Sequence, residues 1–273
     1  MFYFEVADIL PRLTSRHRTI GRQAHPEDSP KPMAKNPLKT KFTEMMGIEY
    51  PILAFTHCKD VVAAVVNAGG FACLGEAMHT PEQIAADIHW IRDKVGDKPF
   101  GIDLVLPSSA PPAGTVDKLQ EGIPEDYWAF ARQIKEKYDI PDPKGKQDLH
   151  QWGGLNQEIA RAQMEVILEE KAPVFCSGLG SPAFFVEAAH ERGMKIFGLI
   201  GKKRQAQREL DQGVDVIIAQ GYDAAGHTGP IGTFSIVAEA AAIAGDVPVI
   251  AAGGISTGRH LAAALCLGAS GVW

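Results

Sequence analysis

Val214-Asp215-Val216-Ile217-Ile218-Ala219-Gln220 runs directly into Gly221-Tyr222-Asp223-Ala224-Ala225-Gly226-His227-Thr228-Gly229. The first half is an apolar run of the kind a parallel strand covered on both faces requires. The second half is a turn whose glycines let the backbone pass close to a flat or phosphorylated ligand. One imidazole, His227, is planted in that turn. In an α/β barrel the turn would leave the C-terminal end of a strand, where such barrels keep their chemistry. Alone, the stretch reads equally well as a glycine-rich turn with a surface histidine, so the decision rests on its surroundings.

Those surroundings are periodic. From Tyr50 onward, β-rich runs alternate with helical patterns. Strands are predicted over Pro51–Thr56, Phe71–Glu76, Pro99–Leu106, Ala172–Ser177, Lys195–Ile200, Val214–Gln220 and Pro248–Gly253, and an eighth begins at Gly271. Helical spacing falls between them, over Val61–Ala68, Pro81–Lys94, Pro182–Arg192, Arg204–Gln212, Phe234–Ala244 and Arg259–Leu267. Most strand-to-strand steps are about 20–34 residues, the length of a βα unit. Seven units and the start of an eighth predict an α/β fold of the (β/α)8 TIM-barrel class rather than an open sheet.

One step is too long. Residues 107–171 hold a Pro/Ser/Ala loop (Pro107–Gly114), helical segments at Glu125–Lys137 and Leu155–Lys171, and a polar stretch between them, Pro141–Gly154. This insertion follows strand three and should lie over the barrel mouth, as a substrate-selecting lid or as decoration. The first 45 residues form the other exception. Eight basic residues stand against Glu27 and Asp28 between Leu10 and Lys41, and Pro26, Pro30, Pro32 and Pro37 break any helix there. The expectation is a flexible basic segment over 1–45 followed by the barrel over 46–273, with Met33 as an alternative start.

Composition excludes several classes. The formal net charge of −6 argues against non-specific nucleic-acid binding. No apolar run reaches the roughly 18 residues that span a bilayer, so no membrane role is expected. Cys58, Cys73, Cys176 and Cys266 form no CxxC pair, which predicts no metal site and thiols in a reducing cytoplasm.

Chemistry concentrates in few places. Pro248-Val249-Ile250-Ala251-Ala252-Gly253-Gly254-Ile255 is the seventh strand and its turn, and such turns often bind phosphate through backbone N–H groups at a helix N-terminus. Lys202 and Lys203 after strand five could neutralise a phosphate or be solvated. Cys176 at the end of strand four could be a nucleophile, or a buried thiol packed under a ligand. His57 follows strand one and is a supporting candidate, whereas His79, His89, His150, His190 and His260 read as solvated.

Tyr50-Pro51-Ile52-Leu53-Ala54, Asn67-Ala68-Gly69-Gly70-Phe71, Pro99-Phe100-Gly101-Ile102-Asp103-Leu104, the His227 loop and Ala252-Gly253-Gly254-Ile255 occur in this order. The series resembles the nitronate monooxygenase (2-nitropropane dioxygenase) family of FMN-dependent barrels, relatives of flavin-dependent enoyl-acyl-carrier-protein reductases. The resemblance implies FMN at the barrel mouth and His227 beside it as catalytic base or anion-stabilising donor. It implies cofactor contacts from Ala54, Phe55, Asp103, Gly178, Lys202, Gln220, Gly221, Ala225 and Gly226, with the phosphate at Gly253 and Gly254. The implied partners are an alkyl nitronate or similar small anion and O2, with a homodimer as the assembly.

The chain departs from the family pattern at four points. Ala54-Phe55-Thr56 replaces a small-Pro-Met turn, Asp103 replaces an asparagine that reaches the flavin, and Ala225 takes a glycine position. The chain ends at Trp273, where the family continues through a Gly-Thr-Arg-Phe-like strand, so the barrel is expected to be truncated at strand eight with two exposed edges. Two alternatives stand beside nitronate oxidation: an NAD(P)H-dependent flavin reductase, and a non-catalytic barrel remnant or phosphate-binding module.

Overall fold

The computed structural model describes residues 36–106, 121–141, 157–224 and 226–273. Their elements, in order, are α1 (Lys41–Met46), β1 (Leu53–Thr56), α2 (Lys59–Asn67), β2 (Phe71–Gly75), α3 (Pro81–Val95), β3 (Gly101–Val105), α4 (Glu125–Lys137) and α5 (Gln157–Glu169). There follow β4 (Val174–Leu179), α6 (Val186–His190), β5 (Lys195–Ile200), α7 (Lys203–Asp211), β6 (Val216–Gln220), α8 (Thr233–Ala241), β7 (Val249–Ala252), α9 (Gly258–Cys266) and β8 (Gly271–Val272). All eight strands are parallel and pair in sequence order, from β1 through β8.

The gap expected at strand eight is nearly closed by a strand of two residues. Gly271 and Val272 pair with Ile250 and Ala251 of β7, and Val272 bridges Ile52 beside β1. The Val272 N–H donates to the Pro51 carbonyl at 2.9 Å and the Trp273 N–H to the Ala251 carbonyl at 2.8 Å. Two residues suffice because each bond of a short parallel strand goes to a different neighbour.

Local chemistry sets the helix starts. Thr80 and Gln83 form a capping box on α3, with Pro81 in its first turn, and the Thr257 hydroxyl caps α9. Two apolar layers result. One lies between sheet and helices and includes Ile84, Ile88, Ile102, Phe175, Ile217 and Ile236. The other fills the lumen with Phe71, Cys73, Val174, Cys176, Phe197 and Ile250, and Phe42 of α1 closes its lower end.

Phe42 shifts the boundary expected at 45/46. It is fully buried, its ring centroid 6.1 Å from Phe71 and 5.9 Å from Phe197, and the compact unit begins at Pro37. Residues 1–35 lie outside the described residues, as do 107–120, 142–156 and Ala225. Within the expected insertion, α5 proves to be the helix that covers β3: its Met164 and Ile167 are buried in the outer layer. Helix α4 has no buried residue.

Candidate active site

The turns at the C-terminal ends of β3, β4, β6 and β7 surround a cleft of about 680 Å³. Seven of the residues expected at a cofactor line it, namely Phe55, Asp103, Gly178, Gln220, Gly226, Gly253 and Gly254, and so does His227. His227 is exposed, and the Gln220 amide holds its loop by donating to the His227 carbonyl at 3.3 Å. Gly253 has φ +104° and a Cβ there would come within 2.8 Å of the Ala224 nitrogen, so this turn needs a residue without a side chain.

Three expectations miss the cleft. Ala54 packs into the outer layer, because neighbouring residues of a strand point to opposite faces and Phe55 takes the inward one. Gly221 is required by packing instead: a Cβ would lie 2.1 Å from the Thr233 nitrogen. Lys202 lines a second cleft of about 620 Å³ with Gln205, Arg208, Ser181 and Thr228, which adjoins the first at Gly226 and His227. Ala225 is among the residues not described. The sequence reading, in turn, missed Leu199, Ile255, Ser256 and Trp273, which also line the first cleft. Strand alternation signals Leu199; Trp273 needs the closed barrel, which sets its ring 6.4 Å from Phe55.

The charges in the cleft are unlike one another. Asp103 is 8% exposed, and burial raises its carboxyl well above the usual carboxylate range. Asp223 is exposed and held below that range, chiefly because it accepts the Thr233 N–H at 2.7 Å at the start of α8. It also stands against Gly254, whose Cβ would lie 3.0 Å from that of Asp223. Below the cleft the Cys73 and Cys176 sulfurs are 2.8 Å apart, and burial raises both thiols. They meet because Gly101 on the strand between them has no Cβ. Cys176 is therefore a packed thiol and not an accessible nucleophile.

His57 turns from the cleft to the Gly75 carbonyl, 2.9 Å away, and sets its ring edge-on to Phe55. The histidines read as solvated are mostly tied down: His89 to Glu170, His190 to Asp215 and His260 to Ser256. His150 lies outside the described residues. His79 pairs with Glu76, which is fully buried after β2, and burial pushes that carboxyl up to about 7.

Residues 39–273 match the family profile described as nitronate monooxygenase. A Mycobacterium tuberculosis protein named "Putative monooxygenase Rv1533" is 40% identical over 243 residues, which is 86% of this chain and 65% of that protein. A Staphylococcus aureus (strain JH9) protein named "Probable nitronate monooxygenase" is 28% identical over 86% of this chain and 66% of its own length. The chain thus spans just under two thirds of these relatives. Among solved structures, FabK from Thermotoga maritima superposes with TM-score 0.62 at 27% identity, over 86% of this chain and 60% of that one. Nitroalkane oxidase from Streptomyces ansochromogenes gives 0.64 at 25% identity, over 85% and 66%.

Proposed function

The chain belongs to the nitronate monooxygenase family, and from that premise we propose that it is an FMN-dependent oxidoreductase that oxidises alkyl nitronates with O2. The observation that carries this reading is the shared cleft: His227 and the Gly253–Gly254 turn open into one cavity at the C-terminal ends of the strands. Its volume lies within the roughly 300–1,000 Å³ usual for cofactor sites.

The residues present fit FMN. Gly253 and Gly254 both have positive φ, a conformation that turns the backbone sharply at the end of β7. Among the described residues the Gly254 and Ile255 amides have no acceptor, so they are free for a phosphate. Phe55, Gly178, Leu199 and Trp273 offer walls for the ring system, and Gln220 an amide for its polar edge. Bound there, the flavin supplies the two-electron acceptor that O2 re-oxidises. His227 meets the anion: an imidazole changes charge near neutral pH, so it can steady a nitronate or take up a proton.

The second cleft supports the alternative. It opens on the same histidine and carries Lys202 and Arg208, which suits an anionic second substrate such as NAD(P)H. One experiment separates the readings. The purified protein should be yellow, and O2 uptake should rise with ethyl nitronate and not with NADH. NADH oxidation without nitronate-dependent O2 uptake would establish the reductase. A colourless protein that takes up no added FMN would leave the non-catalytic barrel.

A further inference from the structure

We infer that Asp103 stands in the cleft as a neutral carboxylic acid and donates its O–H to the ligand bound there, so that an aspartate does the work of a hydrogen-bond donor. The inference rests on the flavin reading for the identity of the ligand, but not for the state of the side chain.

Placement makes the argument. Asp103 is the second inward residue of β3, one step above Gly101, and is more than nine-tenths buried. Its carboxyl lines the cleft, and both oxygens come within 3.0 Å of where a Cβ on Gly178 would be. Among the described residues no hydrogen bond or ion pair reaches it. An ionised carboxylate left unpaired among apolar neighbours is strongly disfavoured, and the group takes a proton instead.

The titratable groups around it do not change that. From β2 and β4 the facing groups are the Cys73 and Cys176 thiols, which are buried and uncharged. The Glu76 amide donates to the Asp103 carbonyl at 3.0 Å, while the Glu76 carboxyl is engaged by His79. From β1, His57 is engaged by the Gly75 carbonyl. Beyond β6, Asp223 and His227 share the same cleft. Lys202 opens on the adjoining cleft. Burial accordingly raises the Asp103 carboxyl well above its ordinary range.

A protonated carboxyl has one donor, where a carboxylate has none. A neutral acid kept in a dry site so that it can donate is a known way to stabilise negative charge on a ligand. Asp103 would therefore act on the flavin edge as an amide side chain does, and lose that ability on ionising.

The test has two arms. In the first, urea unfolding of the flavin-free protein is followed from pH 5 to 9 for wild type and Asp103→Asn. A group whose folded pKa is raised holds a proton that the unfolded chain releases. Wild-type stability should then fall relative to the variant as pH rises above the ordinary carboxylate range, by about tenfold in the folding constant per pH unit up to the folded pKa. A difference that does not grow with pH overturns the inference. In the second arm, FMN affinity is read by fluorescence quenching at pH 6.5. Asp103→Asn should stay within about threefold of wild type and Asp103→Leu, which has no donor, should weaken by about tenfold or more. Equal affinities for Asn and Leu overturn the donor role. If no variant and no wild type binds FMN, the flavin reading falls, and the first arm still decides the protonation state.

Discussion

At the lower end of the lumen, Phe71 of β2 and Phe197 of β5 close on Phe42, all three fully buried and edge-on or tilted to one another. Towards the C-terminal ends of β2, β3, β4 and β6, the inward positions are Gly75, Asp103, Gly178 and Gln220. One end carries large apolar rings. The other carries small or polar residues with few protein partners. The difference separates what holds the barrel from what it holds: the lower aromatic layer supplies stability, and the mouth leaves the Asp103 carboxyl and the Gly254 and Ile255 amides without a protein partner among the described residues.

The sharpest way to break that division is Phe42→Ala. Truncating a fully buried phenylalanine that caps the lumen should cost about 3–5 kcal/mol in urea unfolding. Flavin affinity, measured where the protein stays folded, should not change, since α1 lies at the far end from the cleft. A loss below about 1 kcal/mol would mean that the lumen is held from elsewhere.

His227→Ala probes the other end. The exposed imidazole has no side-chain partner among the described residues, so its removal should hardly move the unfolding midpoint. Flavin content should be retained, while nitronate turnover drops by roughly 10²-fold, the usual worth of a positioned acid or base. Turnover within about threefold of wild type would make the histidine a surface residue of the turn.

The two ends were also unequally legible in the sequence. Strands announced themselves as Val/Ile runs between glycines and prolines, and Lys195–Ile200 and Glu125–Lys137 stand at the expected bounds. Strand β4 runs on to Leu179, past Ser177, because Gly178 looks like a loop residue and is in fact an inward strand position. Helix α6 is only Val186–His190, shorter than Pro182–Arg192, because the chain turns first, with the Phe185 N–H on the Pro182 carbonyl. At the site, the resemblance gave Phe55 and Asp103 together with Ala54, and strand alternation should have excluded Ala54. The pairing of His89 with Glu170 depends on contacts between residues 81 apart in sequence, which no local pattern encodes. The start of β8 at Gly271 was legible, but not that two residues would join β7 to the Pro51 carbonyl, which again rests on partners far away in sequence.

The smallest expected effect is the most specific to the phosphate turn. Asp223 gives a carboxylate oxygen to the Thr233 N–H, so it occupies the start of α8 and sets a negative charge beside Gly254. That charge opposes a phosphate on the free amides of the turn, in a cleft that otherwise fits FMN. Asp223→Asn keeps an oxygen for Thr233 and removes the charge. FMN should bind about two- to fivefold more tightly at low salt, the scale of one screened charge at a helix end, and the gain should fade as ionic strength rises. The Thr233 hydrogen bond holds the Asp223 carboxyl below its ordinary range, so its folded pKa is depressed. The stability it lends is present above the ordinary carboxylate range and is lost only as pH falls through that depressed value, so at neutral pH the variant should be slightly less stable than wild type. Tighter FMN with a slightly lower midpoint would place the phosphate at Gly253–Gly254. An affinity unchanged at every salt concentration would move it elsewhere in the mouth.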